Sequence, residues 1–376
     1  MACLPDSCQS TRLQRIMLMN TSPAPNCGRK LYLDALRIIA IFGVLFNHTN
    51  TKGFAIFTIA TESVFFPVYL FCAVACKVAV PVFLMISGAL LLKKEEPVPV
   101  IIKKRFVKFL VILLLTALII HLYFLNWNLA KFSLRTFLKQ VYSIHITSSL
   151  WYLYAYLAYI LTLPFLRRLA GAMQPKDYLY LTGLMVLVSV LRTFELLALD
   201  YQIHYNSNFD LFTTANIVYY PLMGHFLANE LRDEQITAKT ATLSGAVGFF
   251  FLIVNCWLTC AWCSHLGEWE YTTCQSFLHR FIFFPAIALF ILMRFVFMKI
   301  DLNQTLQKAI MYLGSCTFGI YLFERIYREE TLFVFDLLAP YLPRFLASMI
   351  WVFAAFLFGL VVTAILKKIP VIKKYI

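Results

Sequence analysis

Charged side chains are scarce in this 376-residue chain, and the scarcity excludes most ordinary architectures. Only 14% of residues are Asp, Glu, Lys or Arg, whereas 61% are hydrophobic and the mean hydropathy is +0.75. That is too little polarity to coat a soluble domain of this length, so lipid must be the main solvent. Acidic residues are the rarest class, 19 against 33 basic ones, giving a formal net charge of +14. No nucleic-acid ligand follows from that excess. The basic residues collect in alternate loops, and no basic patch with interleaved aromatics lies outside the apolar runs. Also missing are a GxSxG elbow, a P-loop, any metal-ligand cluster and a recognisable zinc spacing among the ten cysteines. No internal repeat or matched pair of broken helices is visible, which weakens an inverted-repeat transporter.

What the chain does have is apolar runs. Ten are expected to span a bilayer, at roughly 31–51, 64–92, 106–126, 148–166, 178–199, 212–228, 241–263, 277–298, 309–324 and 345–366. The fold class is therefore all-α, a polytopic membrane protein with about ten transmembrane helices. The second run is longer than the hydrocarbon core requires and is interrupted by Lys77 and Pro81, so its first part is expected to be interfacial or kinked. Residues 1–30 contain no apolar core of signal-peptide length and are expected to form a short cytoplasmic tail, with 31–366 as the membrane domain and 367–376 as a basic tail. Lysines and arginines concentrate in 93–108, 167–176 and 367–374, whereas loops 200–211 and 264–276 have none. Both termini are accordingly expected in the cytoplasm of a multi-pass cell-membrane protein. Cys72, Cys76, Cys256 and Cys260 read as small packing residues, and Cys263 and Cys274 flank an expected outer loop where they could form a disulfide.

The first run, LYLDALRIIAIFGVLFNHTNT, holds Asp34, Arg37 and His48 where lipid tolerates none. Arg37 and His48 are separated by 48 − 37 = 11 positions. At about 100° per residue they return to one helix face within roughly 20°, and stand about 16 Å apart along the axis. One cavity could hold a cation near one membrane surface and an imidazole deeper in. His48 is suited to general-base work on an acceptor hydroxyl; the blander reading is a histidine bonded between helices. Asp34 and Arg37, at i and i+3, are either part of the site or a plain intrahelical ion pair.

The cluster Lys103-Lys104-Arg105-Phe106-Val107-Lys108 opens the third run. Lys103 and Lys104 suit anchoring by snorkelled stems, whereas Arg105 and Lys108 point one way into the membrane and could meet phosphates. Ser87-Gly88 permits close backbone approach, for a ligand or simply for helix packing. Trp151 and Tyr152 are an aromatic belt or a substrate surface. His279, Arg280 and Glu324 near outer span ends, with Lys77, are candidates for an acceptor groove; His145, His204 and His225 have no partner visible in sequence.

These segments resemble the integral-membrane acyltransferase 3 family, whose members O-acylate surface glycans and related acceptors. The resemblance rests on LDALRIIAIFGVLFNH at 33–48, VPVFLMISGALLL at 80–92, KKRFVKF at 103–109, LWYLYAYLAYILTLPFL at 150–166 and GSCTFGIYLFE at 314–324. Its most specific mark, an arginine and a histidine separated by ten residues, falls on Arg37 and His48. The resemblance implies a cytoplasmic acyl-CoA donor, commonly acetyl-CoA, no metal, and a carbohydrate or lipid-linked glycan acceptor. It makes His48 catalytic and Arg37 and Arg105 candidates for donor binding or site structure. With the residues read above, Asp34 and Arg37 join His48 as catalytic candidates, Lys108 and Ser87 join Arg37 and Arg105 as donor-binding ones, and Trp151, Tyr152, Glu324, His279 and Lys77 are acceptor-binding ones. A homo-oligomer is left open. Three positions depart from the family pattern: Lys108 replaces a second arginine, Ser149 a histidine (with His145 one turn away), and Glu324 another histidine. The alternatives are a transporter of a glycan or acylated metabolite, and a catalytically degenerate sensing relative.

Overall fold

In a computed structural model, residues 29–143, 146–197, 206 and 210–373 are described. Residues 1–28, with most of the expected N-terminal tail, and His145 and His204 lie outside them. The described chain is helical, with no strand. Helix α1 is Leu31–Asn47; α2 (Phe66–Cys76) and α3 (Ala79–Leu91) share one long apolar segment. Next come α4 (Val98–Phe124, with a π-helical turn at Ile101–Phe106), a short α5 (Leu134–Ser143), α6 (Trp151–Ala172) and α7 (Pro175–Leu197). Then follow α8 (Asn216–His225, continued by a π turn at Phe226–Glu230), α9 (Ala238–Leu266), α10 (Tyr271–Leu278), α11 (Phe283–Lys299) and α12 (Gln304–Leu322). The short α13 (Glu324–Glu330) and α14 (Leu332–Leu338) precede α15 (Arg344–Leu366).

Among the described residues, six helices are long and apolar enough to cross a membrane: 66–91, 98–124, 148–172, 175–194, 238–266 and 344–366. The other four expected spans are helices too, but shorter, broken or more polar. Helix α1 has 17 residues, about 26 Å at 1.5 Å per residue, less than a hydrocarbon core of about 30 Å. Its charged first turn also explains why it is wrapped in protein rather than lipid. Exposed large apolar side chains instead cover the outer helices, including Leu243, Phe249, Phe250 and Trp257 on α9 and Phe353, Leu357 and Val361 on α15. A soluble protein would not leave such faces bare.

Helix α1 is the centre of the bundle and packs chiefly on α12 and α3, then on α15, α11 and α2. Leu33, Leu36, Ile41 and Leu45 are fully enclosed there. Close crossings depend on glycine. A Cβ on Gly88 would come 1.9 Å from the Pro221 carbonyl oxygen, and one on Gly224 would come 1.9 Å from that of Met85, so α3 and α8 touch backbone to backbone. The close approach beside Ser87 thus serves helix packing. The interruption of the second run falls at Lys77, where the chain turns between α2 and α3; Pro81 sits in the first turn of α3, where its missing N–H costs nothing. Cys263 and Cys274 are joined by a disulfide that ties the end of α9 to α10.

Candidate active site

Helix α1 ends at His48, where Thr49 takes over the Phe46 carbonyl: the Thr49 Oγ1 hydroxyl donates to Phe46 O at 2.7 Å and accepts from Phe54 N at 2.8 Å. This leaves His48 at the mouth of a turn, with α1 unbroken back to Arg37. Both side chains line one cavity of about 930 Å³, at the upper end of the usual range for small-molecule sites. The helical spacing read from sequence therefore corresponds to two groups in one space, about 16 Å apart along the axis.

Behind His48 lies a charged pair that sequence alone did not connect to it. Glu324, at the start of α13, is only 1% exposed, and its Oε1 lies 3.3 Å from His48 Nδ1. Its other oxygen, Oε2, accepts from Arg328 Nε at 2.6 Å, while Arg328 NH1 donates to the His48 carbonyl at 2.6 Å. Arg328 is itself buried, and Trp351 Nε1 donates to its carbonyl. One guanidinium thus fixes both the carboxylate and the histidine backbone. The Nδ1 atom is sealed from the cavity, so the exposed part of the ring, 17% of the side chain, leaves Nε2 as the nitrogen that can act on a ligand. A carboxylate at one ring nitrogen holding the other as a base is the logic of hydrolase triads.

At the other end, Asp34 is 1% exposed and binds two arginines: Arg29, through Nε at 2.7 Å and NH2 at 3.0 Å, and Arg37 through NH1. Asp34 does not line the cavity; Arg37 does, with 24% of its side chain exposed. The pair expected at i and i+3 is present, and it positions Arg37.

Arg105 and Lys108 do not line the cavity. Arg105 is gripped by Glu96, through Nε at 2.8 Å and NH2 at 2.6 Å, and Arg167 holds the same carboxylate at 2.8 Å while donating to Leu91 O. The Arg105 hydrogen bonds first, and those of Arg167 next, hold the Glu96 carboxyl well below its usual range, at about 2. This cluster abuts the cavity, since Leu91, whose carbonyl Arg167 binds, is a lining residue. Lys108 is half-buried beside Arg105.

The remaining candidates divide. Ser87, Trp151, Tyr152, Lys77, His279 and Arg280 all line the cavity, as does Ser149, one of the departures from the family pattern. Ser87 Oγ donates to Phe83 O at 2.9 Å. Tyr321 donates to the Ser149 carbonyl at 2.7 Å, closing the wall between α6 and α12. Glu324 does not line the cavity; it lies behind His48, with Oε2 bonded to Arg328 and Oε1 facing Nδ1. His225 lies elsewhere, 3.9 Å from Glu230. Arg328, Asn47, Tyr156 and Tyr321 were not singled out from sequence. For Arg328 a signal existed, the four-residue spacing from Glu324 that puts both on one helix face. Among the described residues, no group of three or more histidines, cysteines or acids could hold a metal.

Residues 30–368 match the acyltransferase domain of the acyltransferase 3 family. No curated protein and no solved structure matches the chain. With nearly its whole length inside that match, the chain belongs to this family and is a multi-pass membrane acyltransferase.

Proposed function

We propose that the protein transfers an acetyl or other acyl group from cytoplasmic acyl-CoA to a hydroxyl of a cell-surface carbohydrate or its lipid-linked precursor. The observation that carries this is the single cavity lined by Arg37 at one end and His48 at the other, with Glu324 and Arg328 behind the histidine. Arg37, already oriented by Asp34, suits a donor phosphate, because a guanidinium binds phosphate in bidentate fashion. The acyl thioester then reaches along the cavity toward His48.

At His48, Nε2 accepts the proton of the acceptor hydroxyl as its oxygen attacks the thioester carbonyl. Glu324 stabilises the imidazolium that forms. Collapse of the tetrahedral intermediate breaks the carbon–sulfur bond, and the CoA thiolate recovers the proton. A transient acyl-histidine would use the same nitrogen, followed by attack of the hydroxyl on the acyl-imidazole. In either route the ester is formed and free CoA is released.

In the proposed orientation the termini are cytoplasmic, Arg37 lies toward the cytoplasm and His48 toward the outer side. The disulfide joining Cys263 to Cys274 supports it, since such bonds persist on the oxidising side of a membrane. Family membership and the enclosed His48–Glu324 pair favour acyl transfer over carriage of a solute. The test is reconstitution in vesicles with radiolabelled acetyl-CoA and a pool of envelope glycans. Alkali-labile acetyl ester on glycan, matched by free CoA, is expected; glycan flux with no acyl ester would overturn the reading.

A further inference from the structure

The charges in the cavity do not balance. Four lining residues are cationic (Arg37, Lys77, Arg192 and Arg280), and among the described residues one lining carboxylate, Asp210, faces them. Arg37 is paired with Asp34, and Arg192 with Asp210. Lys77 is different. Its Nζ donates to Asn47 Oδ1 at 2.7 Å and to the Tyr271 hydroxyl at 3.1 Å, and it lies 4.5 Å from the centre of the Phe54 ring. Each of these partners is neutral, and no ion pair among the described residues includes Lys77.

An ammonium at the junction of two membrane helices is costly unless something answers its charge. The hydrogen bonds and the ring face orient it and leave the charge uncompensated. Its location is informative. Asn47, which holds the ammonium, is the residue before His48, so the Lys77 charge lies beside the base and away from Arg37, the group suited to the donor. A ligand that brings an anion to Lys77 would present a neighbouring hydroxyl to His48.

We propose that Lys77 recognises an oxyanion on the acceptor, so that the preferred acceptor is an acidic glycan carrying a carboxylate or phosphate near the hydroxyl that is acylated. This rests on the glycan-acylation reading above. Lys77 is a specificity residue in this account, and the positive field of the outer cavity would concentrate such acceptors.

The test uses the purified full-length protein, acetyl-CoA and three oligosaccharides of one length: neutral, uronate-bearing and sugar-phosphate-bearing. Release of CoA is measured for the wild type, Lys77→Gln and Lys77→Arg at low and moderate salt. Expected is a preference of about tenfold or more in kcat/KM for one or both acidic acceptors, carried by KM and weakened by salt. The favoured acidic arm tells carboxylate from phosphate. Lys77→Gln should bring the preference to within about twofold, and Lys77→Arg should largely restore it. Equal use of all three by the wild type, or a preference that survives Lys77→Gln, overturns the inference and leaves acyl transfer standing. Absence of wild-type turnover with every glycan counts against glycan acylation instead. Equilibrium binding of the same three probes then decides the role of Lys77: acidic probes bound more tightly, with the difference lost in Lys77→Gln, support it, and equal binding overturns it.

Discussion

Arg37 and Lys77, toward opposite ends of the cavity, are held by different means. At the Arg37 end, guanidinium groups answer to carboxylates: Arg29 and Arg37 to Asp34, Arg105 and Arg167 to Glu96. At the His48 end Arg192 answers to Asp210, but Lys77 rests on an amide, a phenol and a ring, while Glu324 is taken up by His48 and Arg328. A guanidinium pinned by a carboxylate is a rigid fork whose direction is fixed before a ligand arrives. An ammonium on neutral partners keeps its charge available. The first arrangement suits one recurring ligand part, such as a donor phosphate; the second suits an acceptor that must enter, react and leave.

The largest expected effect lies at the His48 end. Glu324→Gln keeps the shape of the side chain but removes the charge that supports an imidazolium, and kcat for CoA release should fall roughly 100- to 1,000-fold with donor KM little moved. Steady-state kinetics on both substrates checks this; a change confined to acceptor KM would make Glu324 a binding residue and erase the distinction drawn here. A smaller effect is expected at the other end. Arg37→Gln should raise the acetyl-CoA KM about 10- to 100-fold and cost kcat much less, because a charge-assisted phosphate contact is lost without touching the base. An equal fall in kcat at saturating donor would place Arg37 in the chemistry.

The smallest effect concerns stability and pH. Glu96 has a carboxyl pKa held down to about 2 against an ordinary 4.5, so its pairing with Arg105 and Arg167 stabilises the fold fully above the ordinary value and progressively less as pH falls toward 2. The Glu96→Gln variant should melt a few degrees below the wild type in detergent at neutral pH, about 2–4 °C, and the gap should narrow by about pH 3. A gap that is constant with pH would mean that packing, rather than charge, is what the substitution removes.

Much of this was legible along the chain. Asp34, Arg37 and His48 stand out because charge inside an apolar run has few explanations, and helical geometry then puts the last two on one face. The break at Lys77 also followed from local sequence, and Cys263 and Cys274 stood where a disulfide could form. The partners from afar did not. Arg328 meets the carbonyl of His48 across 280 positions, and Arg167 meets Glu96 across 71, and nothing local to either segment announces such contacts. For the same reason Arg105 reads as an available phosphate ligand until Glu96 is seen in its grip. The spans differ in how plainly they read: six of the ten expected ones are long and apolar enough to cross a membrane, whereas α1, with 17 residues, is buried largely inside protein.

The most direct test of the central claim, that donor binding and chemistry occupy opposite ends of one cavity, is acetyl-CoA binding measured beside CoA release in the His48→Ala protein. The account predicts binding within a fewfold of wild type and release reduced by about 100-fold or more. Release that persists near the wild-type rate would contradict it.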